Sequence, residues 1–452
     1  SAQLIHSISS SIQRASSEKK LHDMAHYDSL TGLASRPILI DQLQQAITSH
    51  QKLAVAYLDL DNFKPINDKY GHEIGDFVLK TIAQRLQNTL RKEDTLARIG
   101  GDEFILLLRG AAHTIQEYEI LLQDVLIEVN DPIKLAEFSC SVQISVSIGV
   151  ALPSDDGLTC DDILRRADQT MYQAKRSGTN RILFFDPEEE SLRHARHDLL
   201  LAAEKGIARK EFILHYQPKV NLMDHQLIGV EALIRWNHPT LGLLYPGHFS
   251  EALEHPHIGI LIGEWVLAEA LKQHKIWTRN HLSMSVNISP AHLLSEGFVE
   301  NLRELLISTN NIKPKTLELE ILESTTIGNV EQAVDVLNGC RNLGVSIALD
   351  DFGTGYASLS YLKKLPLDTL KIDQSFVKKL LSDHEDKSIV TCIVALSKAF
   401  GFNLIAEGIE SQELEKVLID MGCYHGQGYY IAKPMSADNM NLWIKNMTST
   451  KH

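Results

Sequence analysis

Hydrophobic and polar positions along the first part of the chain follow two alternating patterns. Stretches with the period of a helix, such as residues 76–90, separate short apolar runs that have the length of strands. These runs lie at 53–58, 104–108 and 142–150. Strands and helices that alternate in this way are typical of an α/β domain. We therefore expect an α/β domain over residues 27–186.

Two further helices are predicted at the edges of this domain. Residues 1–26 place isoleucines three and four positions apart among polar residues, which predicts an amphipathic helix. We interpret it as a stalk that pairs two chains in a homodimer, with a frayed leader as the alternative. After the domain, residues 186–190 form a polar break, and the periodic stretch at 192–209 predicts a helix. We assign residues 187–210 to this connection.

The pattern changes in the second half of the chain, where short apolar strands each end in a polar residue. These polar residues are Gln217, Glu231, Asn287, Glu320, Asp350 with Asp351, Lys371, Glu407 and Gln427. The first two are 231 − 217 = 14 residues apart, which fits a hairpin, and most later gaps are near the ~30 residues of a βα unit. We therefore expect a (β/α)-type, TIM-like barrel over residues 199–446.

The polar strand ends would share one mouth of the barrel, where such folds keep their active sites. Carboxylates that are buried together cannot all ionise in a low dielectric, so their pKa values would rise sharply without cations. Divalent metals remove this conflict, and a set of oxygen ligands suits Mg²⁺ or Mn²⁺ and disfavours zinc. The candidate metal ligands are Glu231, Asn287, Glu320, Asp350, Asp351 and Glu407.

Two features of this group favour phosphodiester hydrolysis. The adjacent Asp350 and Asp351 can bridge two metal ions, which is a standard arrangement for displacing an oxygen from phosphorus. Lys371, one strand further on, could hold the attacking water or the phosphate. A lone carboxylate is most often a surface residue, but so many polar residues at barrel spacing are not explained in that way.

An acidic strand end and a glycine turn mark a second candidate site, in the first domain. Asp59 and Asp61 end an apolar strand, and residues 100–104 read Gly-Gly-Asp-Glu-Phe, which predicts a tight hairpin turn. The glycines would let a phosphate approach backbone N–H groups, and Asp102 near Asp59 could share one or two Mg²⁺ ions on a triphosphate. Glu103 would then lie one position from the metal. Such a turn alone is more often an ordinary hairpin, and the acidic strand end is what favours a nucleotide site.

Composition and charge narrow the possible functions. The 44 Lys and Arg against 58 Asp and Glu give a net charge of −14, and no basic patch stands out, so nucleic acid is not an expected partner. Five cysteines without a CxxC pair indicate neither a disulfide framework nor a zinc knuckle, which suggests a reducing, cytoplasmic setting. No apolar run reaches the ~18 residues of a membrane span, and no signal peptide opens the chain.

The second half of the chain, over residues 199–443, resembles the EAL family of cyclic di-GMP phosphodiesterases. The motif that names the family stands at 231–233 as Glu-Ala-Leu. The resemblance implies that the candidate metal ligands hold two Mg²⁺ or Mn²⁺ ions and that Glu231 and Lys371 are catalytic, with the lysine assisting the attacking water. The product would be linear pGpG.

The same resemblance assigns residues around the metals. It implies contacts with the substrate from Gln217, Leu233, Arg235 and Gln427. Glu323 would anchor the loop after Asp351, which orders the second metal and couples the site to dimerisation. The chain departs from the family at residues 253–257 (Leu-Glu-His-Pro-His) and at His292, where Gln is common. These departures bear on loop packing and rate rather than on a predicted ligand.

The first domain resembles the GGDEF diguanylate cyclases over residues 28–185, beginning with the motif Asp-Ser-Leu-Thr-Gly-Leu at 28–33. The resemblance implies that Glu103 helps to deprotonate the attacking 3′-hydroxyl. It also implies a metal site, whose ligands would be Asp59, the Leu60 carbonyl and Asp102.

The GGDEF resemblance also assigns nucleotide contacts. Asn67 and Asp76 would read the guanine edge, and Lys175 would contact the terminal phosphates. The Arg that the family often has four positions after this lysine is Thr179 here. The family's inhibitory product site, an Arg-x-x-Asp ahead of the glycine turn, stands at Arg91 and Asp94. A surface ion pair between these two residues is the alternative interpretation.

Together these features predict a tandem enzyme of cyclic di-GMP turnover. The first domain would make cyclic di-GMP from two GTP, and the barrel would hydrolyse it. We expect hydrolysis to dominate, because cyclisation needs two GTP-loaded domains face to face. We also expect an upstream sensor domain that biases the two activities, and upstream segments could anchor the full-length protein to a membrane. The main alternative is that the first domain is a catalytically silent GTP receptor that regulates the barrel.

Overall fold

The computed structural model describes residues 26–110, 114–135, 140–153, 158–277, 282–309, 313–323, 330–353 and 362–449. The chain divides into two compact units, Ser1–Ser191 and Leu192–His452. Apart from His26, the predicted stalk lies outside the described residues. Every helix among the described residues is too short or too polar to cross a membrane.

The first unit is built around a five-stranded sheet. Its elements in chain order are α1 (Arg36–Thr48), β1 (Leu53–Asp61), α2 (Phe63–Tyr70), α3 (His72–Thr89), β2 (Thr95–Gly100), β3 (Glu103–Arg109), α4 (Ile115–Asn130), β4 (Ile133–Leu135), β5 (Cys140–Val142), β6 (Ser145–Ala151), α5 (Cys160–Arg176) and β7 (Ile182–Phe184). The strand order is β2-β3-β1-β6-β7, in which β6 and β7 are parallel and the other neighbours are antiparallel.

Strand β1 lies at the centre of this sheet and is buried on both faces. Ala54 and Leu58 pack into the core on one face, and Leu53 and Val55 pack into the core on the other. A strand that is covered on both faces has a continuous apolar sequence rather than an alternating one. This explains why the run at 53–58 could be identified as a strand.

The observed elements differ from the sequence prediction at two places. The apolar run 142–150, predicted as one strand, is divided between β5, which pairs with β4, and β6, which pairs with β1. The predicted polar break at 186–190 is instead the start of a helix, α6 (Pro187–Ala208). Asp186 caps it by accepting hydrogen bonds from the backbone N–H groups of Glu188 (2.8 Å) and Glu189 (3.4 Å). The glutamates form a favourable first turn because the N-terminus of a helix attracts negative charge.

The second unit is a closed barrel with surrounding helices. Its elements are β8 (Phe212–Asn221), β9 (Leu227–His238), β10 (Gly242–Leu244), α7 (Ser250–Glu254), α8 (Ile258–Trp277), β11 (Ser283–Ile288), α9 (Pro290–Leu293), α10 (Phe298–Ser308), β12 (Leu317–Leu322), α11 (Val330–Asn342), β13 (Ser346–Phe352), β14 (Thr369–Ile372), α12 (Gln374–Lys379), α13 (His384–Phe400), β15 (Asn403–Ala406), α14 (Gln412–Met421), β16 (His425–Gly426) and α15 (Ala437–Ser449).

The eight barrel strands follow the order β8-β9-β11-β12-β13-β14-β15-β16, with β16 returning to β8, while β10 pairs with β9 outside the ring. Strand β8 is antiparallel to both neighbours, and the other barrel neighbours are parallel. This confirms the predicted fold class, an α/β domain followed by a TIM-like barrel. The β8–β9 hairpin is longer than predicted, so Gln217 and Glu231 lie within their strands and not at the ends.

Candidate functional site

The polar residues predicted at the barrel mouth come together in the structure. They are Gln217 on β8, Glu231 on β9, Asn287 on β11, Glu320 on β12, Asp350 and Asp351 on β13, Lys371 on β14, Glu407 directly after β15 and Gln427 directly after β16. The strand register brings them to one level of the barrel: Gln217 pairs across from Glu231, and Asn287 pairs across from Glu320.

Lys371 lies at the centre of this group and is fully buried. Its Nζ is 2.6 Å from Glu407 Oε1, 2.8 Å from Glu320 Oε2, 3.0 Å from Asp350 Oδ1 and 3.6 Å from Glu231 Oε2. Burial alone would lower the pKa of Lys371, but the surrounding carboxylates raise it well above its ordinary value. The lysine is therefore a fixed positive charge at the barrel mouth.

Two amide side chains hold Glu231 in place. Asn287 Nδ2 donates to Glu231 Oε1 at 2.8 Å, and Gln427 Nε2 donates to Glu231 Oε2 at 2.6 Å and to Glu407 Oε1 at 2.9 Å. The Gln427 Oε1 atom is buried and has no hydrogen-bond donor among the described residues. Gln217 instead donates to the carbonyl of Ala432 at 3.1 Å, which fixes the segment after β16.

Asp351 occupies a special backbone position at the end of β13. Its φ of 53° lies in the left-handed region, and its N–H donates to Asp350 Oδ1 at 3.0 Å. Burial, Asp350 and a hydrogen bond with the Asp373 carboxyl raise the pKa of Asp351 to about 7. Glu323 accepts a hydrogen bond from the Gly353 N–H at 3.2 Å, so it anchors the segment directly after Asp351. The rest of that loop lies outside the described residues.

The carboxylates fit a pair of divalent cations. They form two groups whose oxygen atoms lie within 4.8 Å of one another, Glu231 with Glu320 and Asp350, and Asp350 with Asp351 and Glu407. The charges of Lys371 and of Lys219, which is 3.5 Å from Glu320, cannot neutralise these five carboxylates. Burial together with the Glu231 charge raises the pKa of Glu320 to about 7. A surplus of negative charge on oxygen donors alone suits Mg²⁺ or Mn²⁺.

A cavity of about 250 Å³ opens over this group, and Leu233 and Arg235 line it as predicted. Arg235 is 5% exposed, and its guanidinium lies 4.8 Å from the centre of the Tyr245 ring. It donates to the carbonyl of Ile234 at 2.7 Å and forms no ion pair with a carboxylate of the described residues. A buried guanidinium of this kind is available to bind a phosphate or a base.

A second polar group lies deeper in the barrel and was missed by the sequence analysis. Lys219 Nζ donates to Glu318 Oε1 at 2.8 Å and to the Ser285 hydroxyl, and it lies 3.5 Å from Glu320 Oε1. The hydroxyls of Ser285 and Thr369 each donate to Glu318 at 2.7 Å. Burial would raise the pKa of Glu318, but Lys219 and these hydroxyls lower it to about 2. The group is therefore a buried ion pair whose carboxylate is fully hydrogen-bonded.

In the first unit, a predicted metal ligand and a predicted catalytic carboxylate lie opposite each other. Asp59 on β1 pairs across from Glu103 on β3. Lys175 forms an ion pair with Asp59, and the Tyr57 hydroxyl donates to Glu103 Oε2 at 2.8 Å. Burial and then the Glu103 contact raise the pKa of Tyr57, so its hydroxyl stays a donor. The structure thus brings the predicted phosphate-binding lysine to the predicted metal ligand.

The Gly-Gly-Asp turn is fixed from two sides. Arg98 donates to the Gly101 carbonyl at 2.7 and 3.1 Å and to Asp28 Oδ1 at 2.9 Å, so the predicted opening motif supports the turn. Gly101 has a φ of 53°, which favours glycine. The Leu60 N–H donates to the Asp102 carbonyl at 3.2 Å, so two of the predicted metal-binding residues are neighbours.

The predicted guanine-reading residues lie on consecutive helices, Asn67 on α2 and Asp76 on α3. A side chain at Gly75 would collide with Asn67 Oδ1. Asn67 therefore packs against the turn of α3 that carries Asp76, and only glycine allows this close approach.

Arg91 and Asp94 do not form the ion pair that was the alternative interpretation. Asp94 accepts backbone hydrogen bonds instead, from the N–H of Arg91 at 3.1 Å and from the N–H of Arg109 at 3.0 Å. Arg91 and Asp94 line a cavity of about 210 Å³ together with Glu117 and Tyr118. The two residues thus line a shared cavity and do not form an ion pair with each other.

Sequence reasoning also missed one carboxylate beside the predicted sites, Asp373, and assigned no role to another, Asp61. Asp373 follows Lys371 by two positions, a spacing that puts both on one side of an extended chain and could have indicated it. Asp61 accepts hydrogen bonds from the hydroxyls of Ser145 and Ser147, both at 2.7 Å, and from the Asn180 N–H at 3.0 Å. It ties β1 to β6 and to the loop that follows α5.

Comparison with known proteins gives two family matches. Residues 200–434 match the model described as "EAL domain", and residues 25–181 match the model described as "Diguanylate cyclase, GGDEF domain". A Pseudomonas aeruginosa protein named bifunctional diguanylate cyclase/cyclic di-GMP phosphodiesterase MucR is 38% identical over 440 residues, which are 96% of this chain and 63% of MucR. The chain spans between about half and two thirds of the length of the curated relatives it matches first.

Two solved structures are similar to part of the chain in sequence and fold. The structure titled "PaMucR Phosphodiesterase, c-di-GMP complex" is 38% identical with a TM-score of 0.52, covering 54% of this chain and 99% of that one. The EAL enzyme Bd1971, in its form with cAMP and cyclic di-GMP bound, is 31% identical with a TM-score of 0.54, covering 66% of this chain and 81% of that one.

Proposed function

Since this chain belongs to the EAL domain family and carries a GGDEF domain ahead of its EAL domain, we propose that it turns over cyclic di-GMP and that its barrel hydrolyses this nucleotide to linear pGpG. The names of its relatives support the substrate, because MucR is named for both activities and two similar structures hold cyclic di-GMP. The observation that carries the proposal is the ring of buried carboxylates around Lys371.

We assign two Mg²⁺ or Mn²⁺ ions to this ring. Its oxygen donors form two groups that share Asp350. Asn287, whose amide nitrogen donates to Glu231, would add its amide oxygen to the first group. The chemistry that such ions would supply is activation of a water and neutralisation of the oxygen that leaves phosphorus. Asp373, in contact with Asp351, belongs to the second group in this account.

The remaining side chains orient the substrate and the water. Lys371 donates hydrogen bonds from the centre of the ring, where it can hold the attacking water or a phosphate oxygen. Arg235 supplies a guanidinium to the cavity for a phosphate or a guanine. The unpaired Gln427 Oε1 offers a buried acceptor to a substrate N–H. Leu233 gives the cavity an apolar wall, and Gln217 fixes the segment after β16.

For the first unit we propose GTP binding and cyclisation. Mg²⁺ on the triphosphate would be held by Asp59, Asp102 and the Leu60 carbonyl, and Lys175 would contact the phosphates. Asn67, which packs against Gly75, and the adjacent Asp76 would read guanine. Glu103 would take the proton of the 3′-hydroxyl. Because two loaded domains must meet for cyclisation, a homodimer is part of this proposal.

The test is to identify the products that the purified chain makes. Incubation with cyclic di-GMP and Mn²⁺ or Mg²⁺ should yield pGpG on an ion-exchange column, and incubation of a Glu231→Ala variant with GTP should yield cyclic di-GMP. Formation of neither nucleotide by the folded chain would contradict the proposal. Glu103→Gln is the matched control, since it should lose only the second product.

The alternative, a silent first domain that binds GTP and regulates the barrel, is separated by a further measurement. In the Glu103→Gln variant, cyclisation is disabled while GTP binding is retained. Regulation predicts that saturating GTP changes the rate of cyclic di-GMP hydrolysis. Linkage adds that the factor by which GTP changes cyclic di-GMP affinity equals the factor by which cyclic di-GMP changes GTP affinity. Identical hydrolysis rates with and without GTP would exclude the regulatory alternative.

A further inference from the structure

The buried ion pair of Lys219 and Glu318 lies next to Glu320, one of the proposed metal ligands of the barrel site. Glu318 and Glu320 lie two positions apart on β12, so both point to the inside of the barrel. Lys219 Nζ lies between them, 2.8 Å from Glu318 and 3.5 Å from Glu320. The lysine is 1% exposed and Glu320 is fully buried, so water does not screen this arrangement.

Hydrogen bonds fix the Glu318 carboxylate in a position where it pairs with Lys219. The Thr369 hydroxyl donates to its Oε2, and the Ser285 hydroxyl, which also contacts Lys219, donates to its Oε1. Three donors thus fix a carboxylate that is outside the predicted metal ligands. Glu320, by contrast, has only the longer contact to Lys219, at 3.5 Å on Oε1. Its other oxygen, Oε2, lies at the level of the metal site and accepts a hydrogen bond from Lys371 at 2.8 Å.

We propose that Glu318 is a positioning residue for the metal ligand Glu320, because it holds the Lys219 ammonium below the site. Lys371 already contacts Glu320 Oε2, and a second ammonium paired closely with Oε1 would compete further with a divalent cation for this carboxylate. Glu318 reduces that competition by holding Lys219 at 2.8 Å, and the lysine neutralises the buried charge of Glu318 itself. This inference rests on the proposed metal site and adds the residue that keeps one of its ligands available.

The test measures Mn²⁺ binding to the metal-free full chain by electron paramagnetic resonance, without substrate. Glu318→Gln frees Lys219 to pair with Glu320, so Mn²⁺ affinity should fall by about 10- to 100-fold, as is typical when a group that orients a metal ligand is lost. Adding Lys219→Met to this variant removes the competing ammonium and should restore most of the affinity. A merely structural role for the pair predicts the opposite, that the double variant binds no better than Glu318→Gln.

Further variants keep the inference testable if Glu318→Gln does not fold. Thr369→Val removes one hydroxyl donor to Glu318 at nearly constant volume and should weaken Mn²⁺ binding by about 2- to 10-fold, while Thr369→Ser should bind as the wild type does. The double variant Lys272→Met with Glu269→Gln removes an exposed ion pair of the same unit and should change nothing.

Two results would overturn the inference. One is wild-type Mn²⁺ affinity in folded Glu318→Gln or Thr369→Val, and the other is failure of Lys219→Met to restore binding in the Glu318→Gln background. Failure of the proposed function itself looks different: the wild-type chain would then bind no more Mn²⁺ than Glu231→Ala does.

Discussion

Replacing Lys371 by methionine removes the buried cation around which the barrel site is built, with little change in side-chain length. The ammonium has carboxylate oxygens from four residues at 2.6, 2.8, 3.0 and 3.6 Å. Removing one partner of a buried ion pair typically costs about 3–5 kcal/mol, because the remaining charge is left uncompensated. We expect Lys371→Met to lose about that much unfolding free energy without metal and to regain part of it with Mn²⁺, which then supplies positive charge.

The same variant should lose turnover more than substrate affinity. Lys371 is assigned to the attacking water or a phosphate oxygen and not to the bases, so kcat should fall by about 10²- to 10³-fold, as for loss of one preorganised donor, with little change in KM.

Both effects can be measured on the intact chain. All four tryptophans, Trp236, Trp265, Trp277 and Trp443, belong to the barrel unit, so their fluorescence in urea reports the unfolding of that unit. Lys272→Met, at an exposed site, is the matched control. An increase in KM alone would show that the role of Lys371 is wrong, and unchanged stability in EDTA would refute the electrostatic reasoning.

Three other predictions concern different parts of the molecule. If Arg91 binds product at the inhibitory site, Arg91→Ala in a Glu231→Ala background should raise the yield of cyclic di-GMP from GTP and Lys92→Ala should not; unchanged product inhibition would reassign the residue. Burial lowers the pKa of His292 to about 4 from the ordinary 6.5, so the unfolded chain takes up a proton that the folded chain refuses as the pH falls from about 6.5 towards 4. Between pH 7.5 and 5.5 the barrel should therefore lose about 1.4 kcal/mol more stability in the wild type than in His292→Gln, and equal losses by tryptophan fluorescence would contradict this. Asp373→Asn should raise the Mn²⁺ concentration that gives half-maximal hydrolysis by about tenfold or more, and an unchanged metal requirement would remove this residue from the second carboxylate group.

Much of the barrel site could be predicted because successive βα units place polar residues at the same end of the barrel. Each βα unit returns the chain to the same mouth, so polar residues at regular spacing, from Glu231 to Gln427, had to converge once a barrel was assumed. The hairpin of β8 and β9 also followed from a spacing too short for a helix. The geometry adds that Lys371 is central to the ring, which spacing alone does not indicate.

The residues that sequence reasoning missed lie at positions that the pattern of hydrophobic and polar residues does not identify. Lys219 and Glu318 lie within their strands and one layer below the mouth. A charged residue at such a position resembles a surface residue until its strand is known to close a barrel. The acidic start of α6 was taken for a break, because Asp186 and the glutamates were read as polarity and not as a cap. The run at 142–150 contributes to strands in two different sheets. An apolar sequence does not show where one of these strands ends and the next begins.

We propose above that the carboxylate ring of the barrel hydrolyses cyclic di-GMP. The most direct test compares the rate of pGpG formation by the wild-type chain and by Glu231→Ala, with Mn²⁺ and saturating cyclic di-GMP. Glu231 is held by Asn287 and Gln427 within the first carboxylate group, so its loss should remove a metal ligand without opening the core. The account predicts a loss of about 10³-fold or more with unchanged tryptophan fluorescence. A rate close to wild type in the folded variant would contradict it.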